Sequence, residues 1–157
     1  VTLALDSSIA IEIIRAKQGA SARGYLQAAL SAGQPVWISS VVVQELMTGA
    51  LKSIDPTRSL ERVDRFLTRL TIAEFTAEDA ISSARVRAEL EMRGAKIGAL
   101  DTLIAGQALA RDWTLATSDL DFARVDGLTI VDWTRSDQPI NRLDKLAELL
   151  RRLETEE

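Results

Sequence analysis

The chain has 157 residues, 46% hydrophobic and 27% charged, with 19 Lys and Arg against 23 Asp and Glu for a net charge of −4. Those values describe one soluble globular domain and exclude a disordered tail or a fibre. Cys and His are both absent, which removes disulfides, thiol nucleophiles, zincins and Ser-His-Asp triads, so any chemistry must run on carboxylates, hydroxyls, Lys or Arg.

In chain order, Val1-Thr2-Leu3-Ala4-Leu5 is a run of strand formers that stops at Asp6-Ser7-Ser8. Ile9, Ile13 and Ile14 then recur at helical spacing. A second helix carries Tyr25, Leu26, Ala29 and Leu30, and Val36-Trp37-Ile38-Ser39 is a second strand. Val41 to Leu51 reads as helix. Asp55-Pro56 opens another helix, with Leu60, Val63, Leu67 and Leu70 on one stripe. Thr71 to Phe75 is a third strand, and Thr76 with Asp79 forms a capping box for a helix to about Arg93. Asp101 starts a further helix, Trp113 to Thr117 is a fourth strand, and Leu128 to Val131 is a fifth. The alternation predicts βα units and a parallel sheet covered on both faces. After Pro139, Leu143, Leu146, Leu149, Leu150 and Leu153 recur at helical spacing.

No run is apolar and long enough to span a membrane, and no secretory signal opens the chain, so a cytoplasmic location is expected. In open α/β sheets ligands bind beyond the carboxyl ends of the strands. Asp6 follows the first strand, Glu45 lies early in the helix after the second, Asp101 opens the helix before the fourth, and Asp119 follows the fourth. Each has a structural alternative. Asp6 and Asp101 are good N-caps, Glu45 suits a solvated face, and Asp119 suits a turn, as do Asp121 and Asp126. Together they point to one cleft, where like charges are costly unless a hard cation joins them. Mg²⁺ or Mn²⁺ prefers oxygen donors and readies water for attack without histidine, so metal-dependent phosphodiester hydrolysis fits this inventory best. The net charge counts against a nucleic-acid partner only until such ions are included. Position 8 is Ser, which excludes a dehalogenase-type phosphatase, and the third strand lacks the phosphoacceptor Asp of a receiver domain. No phosphate-binding glycine loop is present.

Leu3-Ala4-Leu5-Asp6-Ser7-Ser8 resembles the opening motif of PIN-domain ribonucleases, and more closely of VapC-type toxins from type II toxin–antitoxin pairs. Ser40 to Gly49, with Glu45, resembles their second motif, and Ile97 to Ala105, with Asp101, the third and most specific. Leu115 to Phe122, followed by Val131-Asp132-Trp133, resembles the fourth motif and final strand. The resemblance implies a single α/β, PIN-like domain over residues 1–133 with a central parallel sheet of four to five strands. It implies an endoribonuclease using Mg²⁺ or Mn²⁺ held by Asp6, Glu45, Asp101 and Asp119, with Ser7 and Thr117 as polar supports. Asp121 is the alternative fourth acid; the Thr-x spacing favours Asp119. An RNA substrate, a homodimer and an inhibiting antitoxin whose C-terminal segment covers the cleft are implied too. Arg85, Arg87, Arg93 and Lys96 are the candidates for gripping RNA, against the reading of a solvated helix face.

Residues 134–157 depart from the family pattern as an extension with an amphipathic helix at about 139–153. Packing on its own domain is the expected outcome, and a dimer or antitoxin groove the sharper one. The alternative function is a catalytically silent PIN-like module that binds RNA or a protein. A DNA-directed nuclease is a further rival, since nothing in the chain reads a 2′-hydroxyl.

Overall fold

The computed structural model describes residues 1–16, 19–140 and 142–155. Five strands, β1 (Thr2–Leu5), β2 (Val36–Ser39), β3 (Thr71–Ala73), β4 (Trp113–Ala116) and β5 (Thr129–Val131), form one sheet in the order β3-β2-β1-β4-β5. Every pairing is parallel. Around the sheet lie α1 (Ser7–Arg15), α2 (Ser21–Ser31), α3 (Ser40–Leu51), α4 (Pro56–Leu67), α5 (Ala77–Met92), α6 (Ala99–Ala110) and α7 (Arg142–Thr155), with a 3-10 helix at Leu120–Arg124. The expected α/β architecture is observed, with all five strands in the sheet.

Burial follows strand position. All four residues of β4 are buried, as a strand covered on both faces requires, while edge strand β3 buries only Ala73. On α1 the inward face is Ile9, Ala10 and Ile13. On α4 it is Val63, Phe66 and Leu67, and Asp55 caps that helix by accepting from the Arg58 N–H at 3.2 Å. The reciprocal box between Thr76 and Asp79 is present at the start of α5. Helix α6 is buried along most of its length, from Thr102 to Ala108, and lies hard against α5. Only glycine fits at 106, because a Cβ there would overlap the Ser83 backbone and hydroxyl.

Beyond one-residue shifts at element ends, the elements differ from expectation at four places. Helix α6 begins at Ala99 with Gly98 in the N-cap position, so Asp101 is its third residue and not its cap. Helix α4 stops at Leu67, leaving Leu70 outside it. Strand β3 ends at Ala73, before the Ser40 hydroxyl takes the Phe75 N–H. Helix α7 begins at Arg142, because the Ile140 N–H is held by the Ile130 carbonyl at 2.9 Å beside β5. Its Leu146, Leu150 and Leu153 are exposed, so these leucines do not pack on the domain. The side chains of Leu143 and Leu149 lie outside the described residues. Among the described residues no helix is long and apolar enough to cross a membrane.

Candidate active site

The chain builds the sheet outward from β1, first through β2 and β3, then on the other side through β4 and β5. Strand order therefore reverses between β1 and β4, where a crevice forms beyond the strand ends. Parallel register places Leu5 opposite Ala116, so Asp6 and Thr117 leave the sheet side by side. The Asp6 N–H donates to the Ala116 carbonyl at 2.9 Å, and the Thr117 N–H to Val131 at 2.9 Å.

Asp6 is buried and occupies the N-cap position of α1, yet it makes no side-chain cap bond. Its Oδ2 instead accepts from the Thr117 hydroxyl at 2.8 Å and the Ser8 hydroxyl at 3.0 Å. Its Oδ1 is buried without a hydrogen-bond partner. Glu45, half-buried on α3, repeats the pattern. Ser7 Oγ donates to Oε2 at 3.5 Å, and Oε1 is buried and unpartnered. Asp101 turns back over the first turn of α6, where a Cβ on Gly98 would stand 3.1 Å from its Oδ2. Asp119 heads the 3-10 helix. Its Oδ1 accepts from the Asp121 N–H at 2.9 Å, and its own N–H donates to Thr117 Oγ1 at 3.0 Å. Asp121 lies 3.8 Å from the Arg124 guanidinium.

The electrostatics show that these acids share one space. Burial pushes the Asp6 carboxyl up, and the Thr117 and Ser8 hydroxyls only partly offset it. Glu45 is raised by burial and by the charge of Asp6, against the Ser7 hydrogen bond. Asp101 is pushed up to about 7 by burial and then by the charges of Asp6, Asp119, Glu45 and Asp121. Asp119 acts on Asp101 more strongly than Asp121 does.

Two buried carboxylate oxygens without donors, amid like charges, are costly in a metal-free site. A hard cation removes that cost, so the donor set fits Mg²⁺ or Mn²⁺. Among the described residues no three acidic side chains are arranged to hold an ion unaided. The fit is therefore to an ion that takes a few carboxylate contacts and completes its shell with water and substrate phosphate.

Ser8 escaped the sequence reading. It bonds Asp6, lies 3.3 Å from the Thr117 hydroxyl and accepts from the Ser118 N–H at 3.0 Å, tying the two strand ends together. The available signal was a second hydroxyl beside the strand-end acid. The basic candidates lie apart from this knot. Arg85 is exposed on α5, and Arg87 pairs with Glu91 at 2.9 Å. Arg93 donates to the Arg124 carbonyl at 2.8 Å and faces Asp126 at 3.6 Å, so it braces the loop after the 3-10 helix. Lys96 is exposed beside a hollow bounded by Arg87, Gly98 and Thr102 at the start of α6, the helix that carries Asp101.

The family model for the PIN domain matches residues 3–128. A tRNA(fMet)-specific endonuclease VapC of Shigella flexneri is 37% identical over 131 residues, covering 83% of this chain and 96% of that protein. A protein of the same name from Salmonella typhimurium is 39% identical over 97 residues, 61% of this chain and 74% of its own. Among solved structures, VapBC2 from Rickettsia felis bound to a promoter DNA fragment matches with a TM-score of 0.78 at 32% identity, covering 83% of this chain and 98% of that one. DNA-bound VapBC from Salmonella typhimurium matches with a TM-score of 0.78 at 33% identity, covering 85% and 98%. The strand order, the acid-lined crevice and these likenesses agree, and the chain belongs to the PIN-domain family, in the branch of the VapC ribonucleases.

Proposed function

We propose that this protein is an endoribonuclease toxin that hydrolyses RNA phosphodiester bonds at the crevice between β1 and β4. The observation that carries the reading is the pair of buried, unpartnered oxygens, Asp6 Oδ1 and Glu45 Oε1, beside an Asp101 already burdened by neighbouring charge. Asp6, Glu45, Asp101 and Asp119 would hold Mg²⁺ or Mn²⁺. The ion supplies Lewis acidity, drawing charge from the phosphate and making water more acidic.

The chain's own residues do the positioning. Thr117 and Ser8 grip one oxygen of Asp6 and leave the other without a donor. Ser7 does the same for Glu45. Asp101 sits in the first turn of α6, where the helix dipole favours a carboxylate and offsets part of the repulsion. Asp119 is fixed by its cap to the 3-10 helix and serves as the fourth acid. Arg85, Arg87 and Lys96 offer positive charge to the RNA backbone from α5 and the α5–α6 turn.

The named relatives make tRNA the first substrate to test. The VapBC neighbours support an antitoxin partner as well. A groove between α1, α3 and α4, lined by Ile11, Ile14, Leu46 and Val63 and reaching Glu45, would seat an apolar antitoxin segment across the cleft. The protein would act as a homodimer within the bacterial cytoplasm. Purified protein with Mn²⁺ and mixed tRNA and rRNA tests the reading. Cleavage that disappears on chelation and in Glu45→Gln supports it, whereas cleavage retained in both arms sinks it.

A further inference from the structure

Two consecutive serines at the start of α1 serve opposite sides of the cleft. At 3.6 residues per turn, neighbouring side chains leave a helix about 100° apart. Ser7 reaches Glu45 on α3, the helix that follows β2. Ser8 turns the other way, to Asp6, Thr117 and Ser118 at the end of β4. Asp6 gains a second donor from this, and the Ser118 N–H is held by Ser8 Oγ from across the reversal point at 3.0 Å.

Counting protons fixes the direction of each bond. A hydroxyl has one proton to give and lone pairs with which to receive. Ser8 Oγ receives the Ser118 N–H and Thr117 Oγ1 receives the Asp119 N–H, each at 3.0 Å. Both hydroxyls then give their single proton to Asp6 Oδ2, at 3.0 and 2.8 Å, because a charged acceptor makes the stronger bond. Neither has a proton left for the other, so their 3.3 Å separation is a contact only. The last sheet bond of this strand is made by the Thr117 N–H to the Val131 carbonyl. Past it, the N–H groups of Ser118 and Asp119 go to hydroxyls instead of strand carbonyls. Two successive peptide groups, 117–118 and 118–119, are thus tied through separate hydroxyls to one oxygen of Asp6. Asp119 ends that doubly pinned stretch, and its own Oδ1 is set by the Asp121 N–H at 2.9 Å.

We propose that Ser8 is a positioning residue for Asp119: from the start of α1 it sets where the fourth acid stands relative to the first. The proposal rests on the reading of the cleft as a metal-dependent nuclease site. Removing the Ser8 hydroxyl frees the 117–118 peptide to rotate and takes one donor from Asp6, so Asp6 and Asp119 no longer face the ion they would share. Thr117 has no second proton to give Asp6 in its place.

The test compares Ser8→Ala with Ser8→Thr, which keeps the hydroxyl, in the full-length chain. In metal-free protein, amide exchange followed by NMR is faster by about tenfold or more at both Ser118 and Asp119 in Ser8→Ala. The Thr117 amide, bonded within the sheet, is the unchanged control, and Ser8→Thr behaves like the parent. Calorimetry with Mn²⁺ shows affinity weakened by about 10–100-fold in Ser8→Ala, and near the parent's in Ser8→Thr. Asp119→Asn weakens Mn²⁺ binding in the parent but costs less than about threefold more in Ser8→Ala, where Asp119 is already out of place. Faster exchange at Ser118 alone would mean that Ser8 holds only its own partner, and would overturn the proposal. So would an Asp119→Asn cost as large in Ser8→Ala as in the parent, since Ser8 would then act through Asp6 only. A parent that binds no Mn²⁺ would sink the nuclease reading, and exchange at Asp119 would still decide whether Ser8 positions it.

Discussion

Asp6 and Asp79 are each only 2% exposed, yet the protein treats them in opposite ways. Asp79, on α5, is saturated with donors. It accepts from the Thr76 N–H and hydroxyl, from Gln107 Nε2, and from Arg111 through Nε at 3.2 Å and Nη2 at 2.9 Å. Burial alone would raise its pKa, but Arg111 and Thr76 outweigh burial and hold it below the usual range. Even this cluster leaves Gln107 Oε1 without a donor. Asp6 has two hydroxyl donors on one oxygen, none on the other, and acids for neighbours. A carboxylate that serves the fold is neutralised by the fold. One left incomplete at the reversal point of a parallel sheet follows a pattern typical of functional sites, and the proposed metal site rests on it.

That contrast can be broken experimentally, and the largest effect belongs to the cleft. Asp6→Asn or Asp101→Asn lowers Mn²⁺-dependent RNA cleavage by more than about a hundredfold, since removing a ligand exceeds the loss of an outer partner. Neither substitution lowers the melting temperature of the metal-free protein, because each removes repulsion; a cleavage rate equal to the parent's would refute the ligand assignment. Asp79→Ala does the reverse. Leaving Arg111 unpaired destabilises by about 3 kcal/mol, the low end for a broken buried pair because Arg111 retains some access to water. Thermal melting then drops by about 6–12 °C. A melting temperature unchanged by Asp79→Ala would show that the two acids are not so different.

A finer probe is Thr117→Val, which removes the shortest bond to Asp6 while keeping the shape. Metal affinity measured by calorimetry weakens by about 10–100-fold, the usual cost of losing an outer partner of a ligand. The smallest effect is on pH. Because the Asp101 pKa is raised to about 7, the unfolded chain releases that proton earlier than the folded one. Metal-free stability therefore falls as pH rises from about 4 to about 7 and levels above that. Asp6 and Glu45, also raised, act in the same direction. Asp79, being lowered, contributes stability above its unfolded value that is lost only in stronger acid. Melting followed from pH 5 to 8 shows the decline, and Asp101→Asn flattens most of it; an equal slope in that variant would remove Asp101 as its source.

Much of the molecule was legible in one dimension because its signals are local. Strand-forming runs, the Asp55-Pro56 start and the Thr76–Asp79 box each act within about one helical turn, so five strands and six of the seven helices lie close to where the pattern puts them. The acids at strand ends were legible for the same reason. Asp101 is the instructive exception, since Asp at a helix start reads as a cap, whereas Gly98 takes that position. The distant partners of Ser8 and Asp79 were not legible: Thr117 and Arg111 stand 109 and 32 residues away.

By itself the order of residues determined the strand–helix alternation, the acid inventory and the absence of histidine and cysteine chemistry. Tertiary structure alone decided which oxygen of each acid is held and which is left open. Hydrogen-bond partners depend on how β1 and β4 align and how α5 meets α6, and no local pattern encodes that register. The outward face of α7 was settled in the same way, because a helical period marks an apolar stripe without stating what the stripe will meet.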